Sequence, residues 1–544
     1  MRRAPNYEAG QMLKTPTANT LFYGDNLAIL REHIADESVD LVYLDPPFNS
    51  NANYNVLFRA PDGHQSQAQI EAFGDTWHWN EPAECAFDEV MQSGNSDAAE
   101  MLRAMRSFLK ENDMMAYLTM MAVRLIELHR VVKPTGSLYL HCDPTASHYL
   151  KILLDAVFGP LNYRNEIIWK RSNPKSHISV NFPNCTDTIL RFSKGSKATY
   201  HQPYEEHDPE YVESAYKYND DGGTYRLLPL LNPNDNRPNL TYEFLGITRV
   251  WRWTKDRMQK AYEDGLVLQL KPGAVPQYKK YLHESKGRTV TNCWTDIPQA
   301  AGGEALGYPT QKPLVLLERI ISASSNEGDL VLDPFCGCGT TVHAAQKLNR
   351  RWIGIDITHL AIHLIKRRLN EAFPKLPFDI LGVPKDLDGA RALAIQDKYE
   401  FQKWALAMID AQPFKGGKKG GDRGVDGSLY IKPDGKKTEK VIVSVKGGQS
   451  LNPAMVKDLI VTVDQEGAKM GVFLTLEPPT KGMISQAAAA GFYKTDYGQF
   501  PKVQIVTVEA LFGPSNPLHL PWQDTSVFKK AKREKTEKQS ELDL

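Results

Sequence analysis

The feature that most constrains the fold of this sequence is a repeated alternation of short buried strands with apolar-periodic helices. Strands are predicted at residues 39–44, 137–141, 330–332 and 352–355, and helices at residues 114–132, 146–158, 314–323, 341–348 and 360–372. Two successive parallel strands need a long crossover connection, which is usually a helix. The alternation therefore predicts an α/β fold with a mostly parallel sheet that is covered by helices on both faces.

The length and charge of the chain limit its organisation and its partners. A chain of 544 residues has room for roughly three or four domains of about 150 residues each. Lys and Arg number 65 and Asp and Glu number 65, so the net charge is zero and a chain-wide basic coat for nucleic acid is excluded. The six cysteines form no disulfide framework and no apolar run is long enough for a transmembrane helix, so we expect a cytoplasmic protein without a membrane partner.

Changes in composition mark the expected domain boundaries. From about residue 172 to residue 303 the periodicity weakens and the sequence becomes rich in Tyr, Asn, Pro, Arg and Trp, which we interpret as an inserted recognition region. Residues 374–388 are expected to form a linker, and the charged, apolar-poor C-terminus is expected to be disordered. The predicted parts are a first catalytic segment at 20–172, the insert at 173–303, a second catalytic segment at 304–375, a further module at 390–515 and a charged tail at 528–544.

A glycine-rich turn follows the predicted strand at residues 330–332. Gly337 and Gly339 stand where that strand gives way to a helix, so backbone N–H groups can approach a ligand closely there. Asp356 ends the next strand, where an acidic residue commonly hydrogen-bonds a ribose. A tight structural turn is the alternative interpretation. Cys336 and Cys338 lie one residue apart without a second pair, and supply too few ligands for a tetrahedral metal site.

The segment Asp45-Pro46-Pro47-Phe48 follows the first predicted strand and carries the most information about chemistry. An exocyclic amine on a base is a poor nucleophile because its lone pair is delocalised into the ring. Two acceptors aimed at its N–H groups, the Asp45 carboxylate and the Pro46 carbonyl, would favour the pyramidal, reactive geometry. Consecutive prolines fix φ and hold that carbonyl in place, and Phe48 offers a flat surface on which a base can stack.

Together these two loops resemble the paired motifs of the amino-methylating DNA methyltransferases, D/N/S-P-P-aromatic and D-x-F-x-G-x-G. The catalytic motif precedes the cofactor motif, and the insert lies between them, an order that resembles the circularly permuted beta class. The resemblance covers residues 21–369 and includes the segments Tyr23-Gly24-Asp25-Asn26 and Tyr308-Pro309-Thr310-Gln311-Lys312-Pro313. It implies a Rossmann-like, S-adenosylmethionine-dependent methyltransferase fold in circularly permuted form, with double-stranded DNA as the substrate.

The resemblance also implies a role for individual residues. Asp45, Pro46, Pro47 and Phe48 would form the catalytic loop, and a flipped base would present its amine for in-line attack on the sulfonium methyl group. Asp rather than Ser at position 45 favours adenine N6 over cytosine N4, which stays an alternative. Cys338 departs from the small hydroxyl residue that is more usual at its position. The residues implied to bind the cofactor are Asp333, Phe335, Gly337, Gly339, Thr340 and Asp356, with Asp25 and Lys312 as further matches.

The C-terminal module carries a second constellation of polar residues. A turn at residues 432–435 predicts a hairpin that returns Lys446 toward Asp426, and Ser444 shares a strand face with Lys446. An acid, an acceptor and a lysine at one sheet edge can bind Mg²⁺ and polarise a phosphodiester. Residues 397–511 resemble the Mrr-like branch of the PD-(D/E)xK nucleases, with a restriction-endonuclease-like α/β fold. Ser444 stands where that family usually has Glu, Asp or Gln, and Glu400 is a candidate replacement ligand.

Several functions stay open at the level of the sequence. The leading hypothesis is a site-specific DNA adenine methyltransferase in a bacterial or archaeal restriction-modification system, with a restriction subunit or a second copy of the chain as partner. The C-terminal module is either an active Mg²⁺-dependent nuclease, a degenerate DNA-binding or regulatory domain, or unrelated surface structure. Methylation of RNA or of a protein amide is a third reading, because related prolyl loops also bind those amines.

Overall fold

The computed structural model describes residues 14–47, 53–59, 65–74, 78–173, 181–306, 308, 310–414, 424–524 and 531–534. These residues divide into two compact units, one formed by 1–201 with 292–544 and the other by 202–291. The described helices and strands of the first unit are, up to residue 201, β1 Thr20–Tyr23, α1 Asn26–His33, β2 Val39–Leu44, β3 Asn53–Arg59, β4 Gln65–Gly74, α2 Glu81–Gln92, α3 Ser96–Leu109, α4 Asp113–Val131, β5 Val132–Cys142, α5 Ser147–Phe158, β6 Tyr163–Lys170 and β7 Thr186–Ser193.

The second unit, residues 202–291, is built mainly from antiparallel strands. Its elements are β8 Tyr204–Glu205, α6 Pro209–Ala215, β9 Tyr218–Asp220, β10 Gly223–Pro229, β11 Thr241–Phe244, β12 Ile247–Val250, α7 Lys255–Glu263, β13 Val267–Leu268, β14 Gln277–Tyr281 and β15 Arg288–Thr289. Trp251 is fully buried in its core against Phe244 and Met258. The Arg252 guanidinium donates to the Leu231 carbonyl at 2.9 Å and so joins two segments of this unit.

The chain then returns to the first unit. The elements that follow are β16 Cys293–Trp294, α8 Leu314–Ser324, β17 Leu330–Asp333, α9 Thr340–Lys347, β18 Arg351–Asp356, α10 His359–Ala372 and β19 Asp379–Leu381. The C-terminal module comprises α11 Leu387–Gln396, α12 Lys398–Met408, β20 Gln412–Pro413, β21 Gly427–Ile431, β22 Glu439–Lys446, α13 Pro453–Gln465, β23 Met470–Thr475, α14 Lys481–Ala489, β24 Phe492–Thr495, β25 Gly498–Pro501, β26 Val503–Thr507 and α15 Val508–Leu511.

A nine-stranded sheet in the order β16-β6-β7-β5-β2-β17-β18-β1-β19 forms the centre of the first unit. Its pairs are parallel except for β6–β7 and β5–β7, which confirms the predicted mostly parallel α/β sheet. Strand β2 lies directly beside β17, with Leu41 opposite Val331. The two strands that precede the predicted catalytic and cofactor loops are therefore neighbours, although nearly 300 positions separate them.

Parallel strands bring their carboxyl ends to one edge of the sheet, and an acidic residue follows or ends five of the strands there. Asp25 follows β1, Asp45 follows β2 and Asp143 follows β5, while Asp333 and Asp356 end β17 and β18. Ligands of open α/β sheets bind in the crevice outside the carboxyl ends of the strands. The topology thus collects the predicted site residues along one crevice.

Helix α4 shows why the sheet is buried. The Asn112 side chain accepts from the Met115 N–H at 2.9 Å and caps its first turn. Leu118, Met121 and Leu125 are fully buried in the core that α4 shares with the strands. Burial of one such side chain stabilises the fold by roughly 1.5–3 kcal/mol, so this helix and its neighbours fix the sheet that carries the site.

The segment predicted to be a linker contributes a strand of its own. Residues Asp379–Leu381 form β19, which pairs in parallel with β1 and closes that edge of the sheet. Strand β7, within the stretch 173–303 expected to form the insert, belongs to the central sheet as well. Strand β19 is too short to show a hydrophobic period, and β7 is buried along almost its whole length, so it shows no alternation of exposed and buried residues. The domain boundaries themselves stay a prediction.

The C-terminal module has a five-stranded sheet in the order β20-β21-β22-β23-β26. Strands β21 and β22 form the predicted antiparallel hairpin, and the Asp434 side chain accepts from the N–H groups of Lys436 and Lys437 in its turn. Helices α12 and α13 pack on this sheet. In the described parts of the chain, no helix has both the length and the apolar character that crossing a membrane requires.

Candidate active site

A cavity of about 290 Å³ opens at the carboxyl edge of β1, β2, β17 and β18. The predicted site residues that line it are Asp25, Asp45, Pro47, Lys312, Asp333, Phe335, Gly337, Thr340 and Asp356. Pro46 and Gly339 adjoin these residues in the chain without lining the cavity. Phe48, the predicted stacking residue, lies outside the described residues. The structure therefore gathers both predicted loops around one cavity.

Two glycines and a backbone hydrogen bond with β18 determine the conformation of the cofactor loop. Gly337 and Gly339 have φ values of 50° and 77°, in the left-handed region that favours glycine. A Cβ at Gly339 would lie 2.7 Å from Ile365 Cγ1, which leaves no room for a side chain there. The Cys336 N–H donates to the Ile355 carbonyl at 3.0 Å and joins the loop to β18. Only glycine fits this turn without moving helix α10.

Asp356 connects the cofactor loop to the start of α10. One carboxylate oxygen accepts from the Gly337 N–H at 2.9 Å, and the other accepts from both the N–H and the hydroxyl of Thr358 at 2.9 Å. Burial raises the pKa of Asp356 to about 6, although these hydrogen bonds oppose the shift. Burial likewise raises the pKa of Asp333 to about 7, against hydrogen bonds from Thr341 and the Phe335 N–H. Buried carboxyls at this edge favour a ligand that brings hydroxyl or cationic groups to them.

The catalytic loop carries an ion pair that the sequence did not predict. Lys312, assigned above to the cofactor, forms an ion pair with Asp45 Oδ2 and is 8% exposed. Among the residues that the structure describes, the buried Asp45 Oδ1 has no hydrogen-bond partner. A buried acceptor left unpaired costs roughly 1–3 kcal/mol. One oxygen of Asp45 is thus fixed by Lys312, and the other is available to a donor that enters the cavity.

A buried hydrogen-bond chain lies behind the catalytic loop. Tyr43, two residues before Asp45, meets His141 Nδ1 through its hydroxyl at 2.9 Å, and His141 Nε2 lies 3.2 Å from Asp187 Oδ2. Burial, followed by Asp45 and Asp333, raises the pKa of Tyr43, so its hydroxyl stays protonated. Burial alone would raise the pKa of Asp187, but the hydrogen bond with His141 and the charges of His141, Lys312 and Arg171 together outweigh burial and lower that pKa. Arg171 pairs with the other oxygen of Asp187 at 2.8 Å.

Asp25 lies at the start of α1, after strand β1, which is separated from β2 and Asp45 by the two strands β17 and β18. Its side chain caps that helix by accepting from the Leu27 N–H at 3.2 Å, and it pairs with Arg124 of α4 at 2.9 Å. The neighbouring Asn26 side chain donates to the Pro334 carbonyl at 2.8 Å and so joins α1 to the cofactor loop. Arg124 also lines the cavity and was not singled out in the sequence. Its position on a mostly apolar helix gave no signal of a role.

The C-terminal module brings Asp426, Ser444 and Lys446 together, as the hairpin predicted. Asp426 Oδ2 lies 3.2 Å from Ser444 Oγ and 3.5 Å from Lys446 Nζ, and it accepts from the Val445 N–H at 2.6 Å. The other oxygen accepts from the Gln402 side chain of α12 at 2.8 Å. Both carboxylate oxygens therefore already hold protein donors.

Glu400 is not among the described contacts of this carboxylate. It pairs with Lys403 at 2.8 Å and accepts from the Tyr23 hydroxyl at 3.5 Å instead. Within the described ranges, no group of three His, Cys, Asp or Glu side chains is placed to hold a metal ion. Most of the Gly/Lys-rich loop at 415–424, including Asp422, lies outside those ranges. The roles of Asp426, Ser444 and Lys446 as metal-site residues stay a prediction.

Comparison with known proteins places this geometry in a family. A family model described as DNA methylase matches residues 39–367, which include both loops of the cavity. The chain belongs to this N6/N4 DNA methylase family. A second model, described as restriction endonuclease, matches residues 393–507 of the C-terminal module. The chain is therefore an S-adenosylmethionine-dependent DNA methylase that carries a restriction-endonuclease-like domain.

Several curated proteins are similar to the methylase part. The Type II methyltransferase M.EcaI of Enterobacter cloacae is 29% identical over 357 residues, which are 64% of this chain and 69% of that protein. The StyLTI Mod subunit, a Type III restriction-modification protein of Salmonella typhimurium, is 28% identical over 63% of this chain, which spans only 52% of that relative. The DNA adenine methyltransferase YhdJ of Escherichia coli is 25% identical over 65% of this chain and 84% of its own length.

Solved methylases also align with the chain. A DNA modification methylase of Thermus thermophilus complexed with S-adenosyl-L-methionine is 17% identical, with a TM-score of 0.33, over 67% of this chain and 98% of that structure. The M1.HpyAVI complex with S-adenosylmethionine is 16% identical, with a TM-score of 0.30, over 64% of this chain and 98% of that structure.

The residues of the cavity fit the methyl donor of this family. The Gly337 turn leaves its Cβ position only 3.4 Å from Tyr308, so a side chain there would fill space on the cavity side of the loop. Asp25 and Asp356 follow or end the neighbouring strands β1 and β18, and both carboxylates line the cavity, where they can accept from the hydroxyl or ammonium groups of the cofactor. Tyr308 also lines the cavity. The cofactor supplies an electrophilic methyl group when it is bound.

Proposed function

We propose that this chain methylates the exocyclic N6 amine of adenine at specific sites in double-stranded DNA. The single observation that carries the proposal is the state of Asp45, whose Oδ2 is paired with Lys312 while its buried Oδ1 has no partner among the described residues. Such an acceptor suits a flipped base whose amine brings an N–H group into the cavity. Asp rather than Ser at this position favours adenine.

The chain's own residues would do three things in this reaction. The Asp45 carboxylate and the Pro46 carbonyl would accept the two amine N–H groups and so favour the pyramidal amine. Lys312 would hold the Asp45 carboxylate in position, and this carboxylate would stabilise the positive charge that develops on the amine nitrogen. Asp25, Asp333 and Asp356 would hold the cofactor beside the base. Positioning and electrostatic stabilisation account for the catalysis.

The experiment that tests this proposal is methyl transfer to unmodified double-stranded DNA, followed by nucleoside mass spectrometry. We expect N6-methyladenine from the wild-type chain and no product from Asp45→Ala, with cofactor binding retained in that variant. N4-methylcytosine as the only product would replace adenine by the alternative substrate of the family. Full activity in Asp45→Ala would overturn the role of the carboxylate, and transfer to RNA alone would overturn the substrate.

The relatives favour a place in restriction-modification. One similar protein is a Mod subunit of such a system, and this chain joins a methylase to a restriction-endonuclease-like domain. We therefore propose a restriction subunit or a second copy of the chain as its partner, in the cytoplasm of a bacterium or archaeon. Light scattering on the purified chain, alone and with DNA, measures whether it associates with itself.

For the C-terminal module we propose DNA binding or regulation without cleavage. The supporting observation is that Gln402, Ser444, Lys446 and the Val445 N–H already surround the Asp426 carboxylate. Mg²⁺ prefers oxygen ligands, usually including carboxylates that are free to bind it. A divalent ion would have to displace the Gln402 amide and gain a further ligand where Ser444 stands. A cleavage assay with Mg²⁺ on unmodified DNA tests this proposal.

A further inference from the structure

Arg368 of helix α10 lies behind the cofactor loop and is 4% exposed. Its Nη1 donates to the Cys338 carbonyl at 3.2 Å and to the Thr340 hydroxyl at 3.0 Å, on either side of Gly339. Its Nε donates to His343 Nδ1 at 3.0 Å. One rigid guanidinium thus fixes the loop backbone at the point where the loop becomes helix α9.

The bond with Arg368 also fixes the proton on His343. A guanidinium only donates, so Nδ1 of His343 must accept and the ring proton must be on Nε2. Burial, followed by the charges of Arg368 and Lys347, lowers the pKa of His343 to about 3, so the ring is neutral. The Nε2–H group lies 3.1 Å from Glu534 Oε1. Glu534 therefore accepts a hydrogen bond from the one N–H group of the His343 ring.

Glu534 comes from the C-terminal tail, after the endonuclease-like domain. Its N–H donates to the Ala372 carbonyl at 3.0 Å, at the end of α10, where helix carbonyls lack partners within the helix. The Ala531 N–H donates to Glu371 Oε2 at 2.7 Å. Lys347 of α9 lies 3.9 Å from the other Glu534 oxygen. The described tail residues 531–534 thus contact α9, which follows the cofactor loop, and α10, which follows the neighbouring strand β18.

We propose that Glu534 is a positioning residue for cofactor binding. The tail segment 531–534, which we call the strap, holds the cofactor loop in place through His343 and Arg368. Without Glu534, the buried Nε2–H of His343 has lost its acceptor. The ring can then rotate or change tautomer, and Arg368 loses one of its three fixed contacts. The loop between Gly337 and Thr340 becomes less ordered, and the cofactor must order it on binding. The inference rests on the cofactor site proposed above.

Two truncations and two substitutions in the full chain test this inference. One truncation ends at Asp524 and removes the strap, while the matched control ends at Glu534 and removes only residues 535–544. Asp524 keeps its own place in the domain through the Tyr430 carbonyl. Glu534→Ala removes the acceptor, whereas Glu534→Gln keeps an oxygen that can accept from His343. Isothermal titration with S-adenosylmethionine gives Kd for each protein.

We expect Kd for S-adenosylmethionine to rise about tenfold in Glu534→Ala and in the truncation at Asp524, the size of one buried hydrogen bond. Glu534→Gln should stay within about threefold of wild type, and the truncation at Glu534 should match wild type. In steady-state assays KM for the cofactor should rise while kcat at saturating cofactor and DNA affinity stay unchanged. A merely structural role would instead lower kcat and weaken the binding of both cofactor and DNA.

Unchanged cofactor affinity in the truncation at Asp524 would overturn the strap. Equal weakening by both truncations would assign the effect to residues 535–544 and overturn it as well. No cofactor binding by the wild-type chain would overturn the cofactor site itself, which is a separate failure from that of the strap.

Discussion

Lys312 forms an ion pair with Asp45, 267 positions earlier in the chain. The pair joins the segment before helix α8 to the catalytic loop after β2. Because the cation occupies one carboxylate oxygen, the other is left for the amine of the substrate. The Lys312 side chain therefore couples the segment before α8 to the catalytic loop, and this coupling gives the first prediction.

Lys312→Met should lower methyl transfer about 10- to 100-fold, because the Asp45 carboxylate loses a charged hydrogen bond that fixes its orientation. Cofactor affinity should change much less. Single-turnover methylation and cofactor titration separate the two effects. The control is Lys133→Met, since Lys133 forms an ion pair of similar kind with Asp40 at the opposite end of β2. Equal losses in both variants would show that the ion pair acts only on stability.

Tyr43→Phe should lower both stability and methyl transfer. The change leaves His141 Nδ1 without its partner and should cost about 1–2 kcal/mol in the free energy of unfolding. Urea denaturation measures that cost. Tyr139→Phe is the matched control, because Tyr139 is equally buried on β5 and hydrogen-bonds Ser324 at 2.7 Å, outside the chain that leads to Asp45.

The two tyrosine variants should differ in activity rather than in stability. Methyl transfer at a temperature where both are folded should fall in Tyr43→Phe and stay near wild type in Tyr139→Phe. Loss of activity in proportion to stability in both variants would contradict a positioning role for Tyr43.

Asp333 makes stability depend on pH in the cofactor-free chain. A carboxyl whose pKa is raised by folding, here to about 7, favours the folded state only when it is protonated. Its contribution is therefore complete at pH values below the usual Asp range and is lost as the pH rises through about 7. Asp333→Asn should raise the free energy of unfolding by about 1–3 kcal/mol at pH 8. The melting temperatures of variant and wild type, measured without cofactor, should differ less at pH 5 than at pH 8 and should converge only below the usual Asp pKa of about 4.

The smaller difference at pH 5 serves as the internal control for this prediction. A gain of the same size at pH 5 and at pH 8 would mean that the substitution acts through packing rather than through the buried charge. Lower stability of Asp333→Asn at pH 8 would show that the carboxylate is well compensated in the folded chain, contrary to the raised pKa.

The endonuclease-like domain should not cleave unmodified DNA with Mg²⁺, and it should gain divalent-ion binding when Ser444 is replaced by a carboxylate. Ser444→Glu places an oxygen ligand beside Asp426, where Ser444 Oγ lies at 3.2 Å. Titration with Mn²⁺ and a plasmid-cleavage assay measure the two effects. Ser428→Glu is a control on the neighbouring strand β21. Cleavage by the wild-type chain that disappears in Lys446→Ala would contradict the proposal.

Much of the sheet could be predicted from the sequence, because buried strands and amphipathic helices leave periodic signals. The strand at Val39–Leu44 and the helix at His359–Ala372 are found close to their predicted bounds. The short strand β19 was missed, since three residues cannot show a period. Residues 531–534 lie in a tail expected to be disordered, yet they hydrogen-bond α10, because charge composition does not report a specific docking contact.

The site was predictable where a motif fixes local geometry and not where partners are distant. Gly337, Gly339 and Asp356 follow from a turn and a strand end, which are local features. The partners of Asp45 and of Arg368 depend on which strands become neighbours, and pattern alone does not give their side-chain contacts. Tyr43 did leave a signal, since it lies two positions before Asp45 on the same face of the strand.

Strand β19 has a consequence for how this protein can be divided. The segment that leads from the methylase to the endonuclease-like domain is also the outermost strand of the methylase sheet, where Leu21 lies opposite Ile380. A methylase released by a cut after residue 375 would expose the unpaired backbone of β1, and an uncovered edge of that kind recruits other chains. Such a fragment should aggregate, whereas a fragment that ends after Pro384 keeps β19, so that β1 stays paired. The segment that connects the methylase to the endonuclease-like domain is thus itself a structural part of the methylase.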